Sequence, residues 1–183
     1  MNYLGHIYLS GENDHLMIGN FIADYVKGKQ YLGYPEEVQK GILLHRSIDH
    51  FTDKNIHWQS IREMIRPVYN RYAGVVADIF IDHFLAARWN DYSEYTLSKY
   101  TKWVHAVFLR NYTIMPDRVK EFLPFLIQHN RLLSYAEIRG IEESLYIMSQ
   151  RSSLPENTAN AINLLESHYR ELESLSHLFL TEI

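Results

Sequence analysis

The sequence predicts a single all-α domain, and three observations carry that prediction. Only eight glycines and five prolines punctuate 183 residues. The segments between them repeat apolar residues with helical spacing, and no stretch alternates as a half-buried strand would. Helix start and stop signals fall where those segments begin and end.

The elements follow in order. From Asp14 to Val26 an apolar stripe of Leu16, Ile18, Phe21, Ile22 and Val26 precedes a "KGK" exit. Pro35 opens a second helix to about Thr52, with Glu36 and Glu37 favourably placed in its first turn. A third is expected from His57 to Tyr72, bent near Pro67, and a fourth, apolar on several sides and hence central, from Gly74 to Trp89. Ser93 is the expected cap of a helix reaching Tyr112. Pro116 opens a short one toward Gln128, and Ser134 with Glu137 matches a capping box for a helix to Gln150. A terminal amphipathic helix from Pro155 to Phe179 is open to packing at the domain edge or to pairing in a homodimer. No linker or repeat divides residues 1–183.

Composition narrows the function classes. Lys and Arg total 18 against 22 Asp and Glu, a net charge of -4, so nothing draws the whole chain to nucleic acid or an anionic membrane. The absence of cysteine excludes disulfides, zinc–thiolate sites and thiol catalysis. No segment approaches the roughly 20 apolar residues of a membrane span. The first residues lack a basic leader, so a soluble cytoplasmic protein is expected. Neither a phosphate-binding Walker loop, a dinucleotide glycine fingerprint nor a Gly-x-Ser-x-Gly elbow is present.

Against this plain background, "LLHRSIDHFTD", from Leu43 to Asp53, sets charged groups into an apolar helix. His45, Asp49 and Asp53 are spaced i, i+4, i+8 and share one side, with Arg46 at its edge. Asp78 and Asp82 repeat the i, i+4 spacing on the fourth helix, and His83 follows. Asp24 and His6 lie among apolar neighbours on the first helix and in the N-terminal segment. Buried, these groups need partners. Two answers fit the spacing: a structural ion-pair network with Arg46 or Arg88, or a divalent cation that neutralises several carboxylates at once. Imidazole with excess carboxylate and no thiolate favours Mn2+ or Mg2+, with Fe2+ as a further candidate. Arg46 and Lys27 would then be free to bind phosphate.

The same residues resemble the acyl carrier protein phosphodiesterase (holo-[acyl-carrier-protein] hydrolase) family. The likeness is carried by "MNYLGHIYLSG", "IGNFIADYVKG" (Ile18 to Gly28), "LLHRSIDHFTD" and "ADIFIDHFLAARW" (Ala77 to Trp89), with weaker echoes in "MSQR" and "LLESHYRELE". The resemblance implies an all-α fold related to HD-domain phosphohydrolases, a divalent cation with manganese preferred, and release of 4′-phosphopantetheine from holo-acyl carrier protein. Carried over residue by residue, the family's shared polar positions fall on His6, Asp24, His45, Arg46, Asp49, Asp53, Asp78, Asp82 and His83, and of these His6, Asp24, His45, Asp49, Asp82 and His83 are the expected metal ligands. Asp78 is expected to orient water, Arg46 to act in catalysis and, with Lys27, to bind phosphate. Lys27, Lys29, Arg62 and Arg66 are the expected contacts for an acidic carrier. Ser47 and Tyr8 depart from the family pattern of Arg and His, which touches substrate contacts and not the acid–histidine set. A phosphohydrolase of nucleotides or other small diesters, or a carrier-binding module without catalysis, are the alternatives.

Overall fold

The computed structural model describes all 183 residues, from Met1 to Ile183. Eleven α-helices and short 3-10 turns make up the chain, and 43 buried apolar residues form one core. In order the helices are α1 (Tyr3–Tyr8), α2 (Asp14–Ile22), α3 (Glu36–Lys54), α4 (Ile56–Tyr69), α5 (Ala73–Ala87) and α6 (Leu97–Arg110). They continue as α7 (Asp117–Gln128), α8 (Arg131–Ser134), α9 (Ile138–Arg151), α10 (Thr158–Ser167) and α11 (Tyr169–Glu182). None is long and apolar enough to cross a membrane.

Local chemistry sets most boundaries. The Asn13 side chain accepts the Leu16 amide at the start of α2. Asn55 closes α3 and caps α4 by accepting from the His57 and Trp58 amides, so two helices meet at one residue. Pro67 lies in the last turn of α4 without ending it; the helix stops at Asn70, whose φ of 46° leaves helical space. Such a φ is tolerated best by Asn among residues with a side chain.

Other boundaries depart from the sequence expectation. Thr96, not Ser93, caps α6 by accepting the Lys99 amide. Ser134 turns its hydroxyl back to the Arg131 carbonyl and ends α8, so the expected capping box does not form and α9 starts at Ile138. The terminal helix is two helices, with the break at His168.

As expected, α5 is central. It is buried on all sides from Ile79 to Ala86 and packs against α1, α4, α9 and α11. Helices α2 and α3 cross where Gly19 meets Gly41: a Cβ on Gly19 would run into the Val38 carbonyl oxygen, and one on Gly41 into that of Leu16. This backbone-close crossing fixes α3 against α2 at the turn where Asn20 and His45 follow.

Helix α1 was not anticipated from periodicity. Its first amides are capped from another element: the Asp82 carboxylate accepts from Leu4 N at 2.7 Å and Gly5 N at 3.0 Å. A carboxylate there satisfies orphan donors and the positive helix end together.

Candidate metal centre

On α3 the buried stripe runs Val38, Ile42, His45, Ile48 and Thr52, so helical register turns the His45 ring inward toward α2. Asp49, one turn on, stands half-exposed at the mouth of an open pocket of about 250 Å³. His6 reaches the pocket from α1, and Asp24 from the 3-10 turn Ala23–Tyr25 that ends α2. The His6 and His45 rings stack with centroids 3.9 Å apart.

Asn20, fully buried on α2, sets both rings. Its Nδ2 donates to the His6 carbonyl (2.7 Å) and to Ser10 Oγ (3.0 Å), which fixes the amide orientation. Its Oδ1 then faces His6 Nδ1 at 2.9 Å and His45 Nδ1 at 3.1 Å, with the Asn20 carbonyl 2.9 Å from His45 Nδ1. These oxygens only accept, so both hydrogens sit on Nδ1. Both Nε2 atoms therefore turn toward the carboxylates, ready to carry a second proton or to donate a lone pair to a cation.

The carboxylates lie within reach of both. His6 Nε2 is 3.4 Å from Asp49 Oδ1, and His45 Nε2 is 3.2 Å from Asp49 Oδ2 and 3.3 Å from Asp24 Oδ1. Unprotonated, Nε2 would set a lone pair against an anion. Burial opposes a charge on His45, but hydrogen bonds with Asp24 and Asp49 outweigh it and lift its pKa to about 9. Burial also pushes Asp49 upward, and its bonds with His45 and His6 more than reverse this, holding the carboxyl well below the usual range. The His45 hydrogen bond lowers Asp24 against its own burial, while burial lowers His6.

His6, His45 and Asp49 offer ligand atoms that all lie within 4.8 Å of one another. The donor set fits a divalent cation, and a bound cation would replace the proton on His45. Thr52, in the same lining, keeps a buried hydroxyl with no partner, a further polar atom open to a bound group. Asp53 lines the pocket mouth and is exposed.

The remaining expected site residues divide. Asp78 does line the pocket, where its Oδ1 accepts from Trp58 Nε1 (2.8 Å) and meets the Met1 amino group at 3.1 Å. Asp82 does not: it is fully buried beneath α1, both oxygens are taken by the Leu4 and Gly5 amides, and burial pushes its pKa up to about 7. It is a helix cap, which corrects its assignment as a ligand. His83 also lies apart, with Nδ1 bonded to the Tyr135 carbonyl (2.8 Å) and Nε2 to the Tyr169 hydroxyl (3.1 Å), tying α5 to the residue after α8 and to α11. One residue's step around α5 turns it away from the pocket.

Arg46 is outside the pocket lining as well. Its guanidinium donates to the Val26 and Gly28 carbonyls at 3.3 and 2.9 Å and covers the Tyr31 ring. It therefore clamps the segment that carries Asp24, a positioning role in place of the expected phosphate contact. Lys27 is exposed on that segment, outside the lining. Asn20, Thr52 and Trp58 were missed by sequence reasoning. For Asn20 a signal existed: an amide set between "MIG" and "FI" is a polar residue in an apolar run and needs buried partners.

The sequence model of the family described as acyl carrier protein phosphodiesterase matches residues 1–183. The chain is similar to the acyl carrier protein phosphodiesterase of Yersinia pestis, 31% identical over 99% of this chain and 93% of that relative. It is likewise similar to those of Enterobacter sp. (strain 638), 31% identical over 95% and 91% of the two chains, and of Photorhabdus laumondii, 28% identical over 96% and 89%. No solved structure matches significantly.

Proposed function

The chain belongs to the acyl carrier protein phosphodiesterase family, and on that premise we propose that it hydrolyses the diester joining 4′-phosphopantetheine to a serine of holo-acyl carrier protein in a cation-dependent reaction. The observation that carries the cation is the convergence of His6 Nε2, His45 Nε2 and Asp49 on one open pocket, with both tautomers fixed by Asn20. His6, His45 and Asp49 would hold the ion, with Asp24 beside them, and manganese suits this mixture of imidazole and carboxylate. When bound, the cation supplies Lewis acidity toward phosphoryl oxygen and a lowered pKa for water.

The protein's own groups supply the rest. Asp78, anchored by Trp58, faces the same pocket and is placed to orient the attacking water and accept its proton. Water adds to phosphorus, the bond from phosphorus to the serine oxygen breaks, and that oxygen takes up a proton. The products are apo-carrier protein and 4′-phosphopantetheine. Arg46 keeps the Asp24 segment against α3 throughout. Kinship to the HD-domain phosphohydrolases belongs to the same reading; its support is an all-helical frame that brings histidine and aspartate from separate elements to one pocket.

The test weighs the carrier protein after incubation with the enzyme. Conversion of holo- to apo-carrier should vanish on chelation and return with Mn2+, and Asp49→Ala should bind no Mn2+. Full conversion by rigorously metal-free enzyme would refute the cation, and hydrolysis of nucleotides with holo-carrier left intact would refute the substrate.

A further inference from the structure

A second hollow opens next along the chain from the metal pocket. Met1 and Asp24 line the metal pocket, while their chain neighbours Asn2 and Tyr25 line a groove of about 260 Å³ between α1, α7 and α9. Tyr3 and Tyr25 both line the groove, with their hydroxyls 3.4 Å apart. Tyr3 is one turn before His6 on α1, so one short helix carries a groove residue and a metal-pocket residue. Burial first, and then the neighbouring Tyr25, raise the Tyr3 pKa.

The groove is aromatic, with one unpaired cation. Tyr3 and Phe122 stack at 5.7 Å, Tyr25 packs on Phe122 at 5.8 Å, and Phe125 and Met148 extend the lining. Two arginines border it, in different states. Arg131 is buried and committed to Glu143, the Gly140 carbonyl and Ser144. Arg151, exposed in the lining, lies over the Phe125 ring at 5.7 Å with no carboxylate or carbonyl partner. Met148 and Arg151 are the ends of "MSQR", a family echo for which the metal centre has no use.

We propose that this groove holds the pantetheine arm of the substrate while the phosphodiester sits at the metal pocket, with Arg151 donating to the arm's amide carbonyls. The proposal rests on the substrate assigned above. Its occupant follows from continuity: a diester at the Asp24–His45 pocket must send one substituent away from the carrier, and the groove starts one residue along the chain from that pocket. The arm's chemistry matches the walls, since its methyl groups and methylenes suit an aromatic floor and its amides need a donor at the rim. A lone, partnerless guanidinium over an aromatic ring supplies that donor. The groove thereby selects diesters that carry the arm over those that do not.

The test uses free pantetheine as the probe and the full chain without metal. Saturable binding, followed by chemical-shift changes, is expected, together with competitive inhibition of holo-carrier hydrolysis by the Mn2+-loaded enzyme. Arg151→Ala, an exposed substitution that leaves the core intact, should weaken pantetheine binding and lower selectivity for holo-carrier over bis(4-nitrophenyl) phosphate roughly three- to tenfold. Phe122→Ala, checked by thermal melting, should do the same. No pantetheine binding by the wild type, or undiminished binding by Arg151→Ala, overturns the proposal. The titration needs neither metal nor turnover, so failure of the metal-dependent reaction is read separately, from the chelation experiment.

Discussion

Asn20 has no exposed surface and no titratable group, yet both imidazoles at the pocket take their tautomer from it. Outer partners of this kind usually matter about 10–100-fold in metal affinity. Asn20→Ala should therefore weaken Mn2+ binding by about that factor in a calorimetric titration, and an unchanged affinity would show that the Nε2 pair is not the ligand. His45 gives a second prediction, for the metal-free protein. Its folded pKa of about 9 lies above the ordinary 6.5, so protonation favours the folded state. That contribution is complete below pH 6.5 and is lost as pH rises to about 9. Melting temperatures in chelator should fall across this interval while Mn2+ affinity rises, because cation and proton compete for one Nε2. Flat melts for wild type, with the same profile in His45→Gln, would contradict the His45–carboxylate coupling.

At the scale of the helix, spacing located the acids on α5 without revealing what they face. Asp78 and Asp82 do share a side, but the two positions meet different neighbours: the pocket at one end, and the amides of α1 at the other. A cap donated from 77 residues away leaves no local signal, which is also why α1 itself was not legible. Asp82→Ala strands two buried amide donors and should cost about 2–5 kcal/mol, read from denaturant unfolding. Asp49→Ala, at the exposed mouth, should fold normally and lose the cation. If Asp82→Ala kept full stability, the capping assignment would fail. The α2–α3 crossing allows an equally direct trial. Gly41→Ala drives a methyl into the Leu16 carbonyl and should destabilise by about 1–3 kcal/mol, while separating Asn20 from His45 and so weakening the cation. An unchanged melting temperature would mean that the helices are not held at backbone contact.

For the whole molecule, periodicity and sparse breakers were enough to read an all-helical core, because every long helix buries an apolar stripe that sequence displays. The pocket was legible in part: His45 and Asp49 share a turn, whereas the approach of His6 and Asp24 depends on tertiary packing around Asn20. Surface charge shows the same division. Of the four cations expected to meet an acidic carrier, Arg62 and Arg66 both bridge to Glu63, and Arg62 also covers Trp58. Lys27 and Lys29 are exposed and unpaired on the segment that carries Asp24, and Leu32 and Leu43, exposed to 58% and 43%, flank Tyr31 and Arg46 there. Free cations around exposed apolar side chains, beside the candidate metal pocket, suit an acidic protein better than a small diester. Lys27→Glu and Lys29→Glu should each raise the KM for holo-carrier about two- to fivefold, and Arg62→Glu by less, since Glu63 already offsets it. Added salt should raise the wild-type KM in the same direction and flatten the difference between the variants, as screening requires. Equal losses for Lys27→Glu and Arg62→Glu, or a KM indifferent to salt, would place the carrier on another face of the molecule.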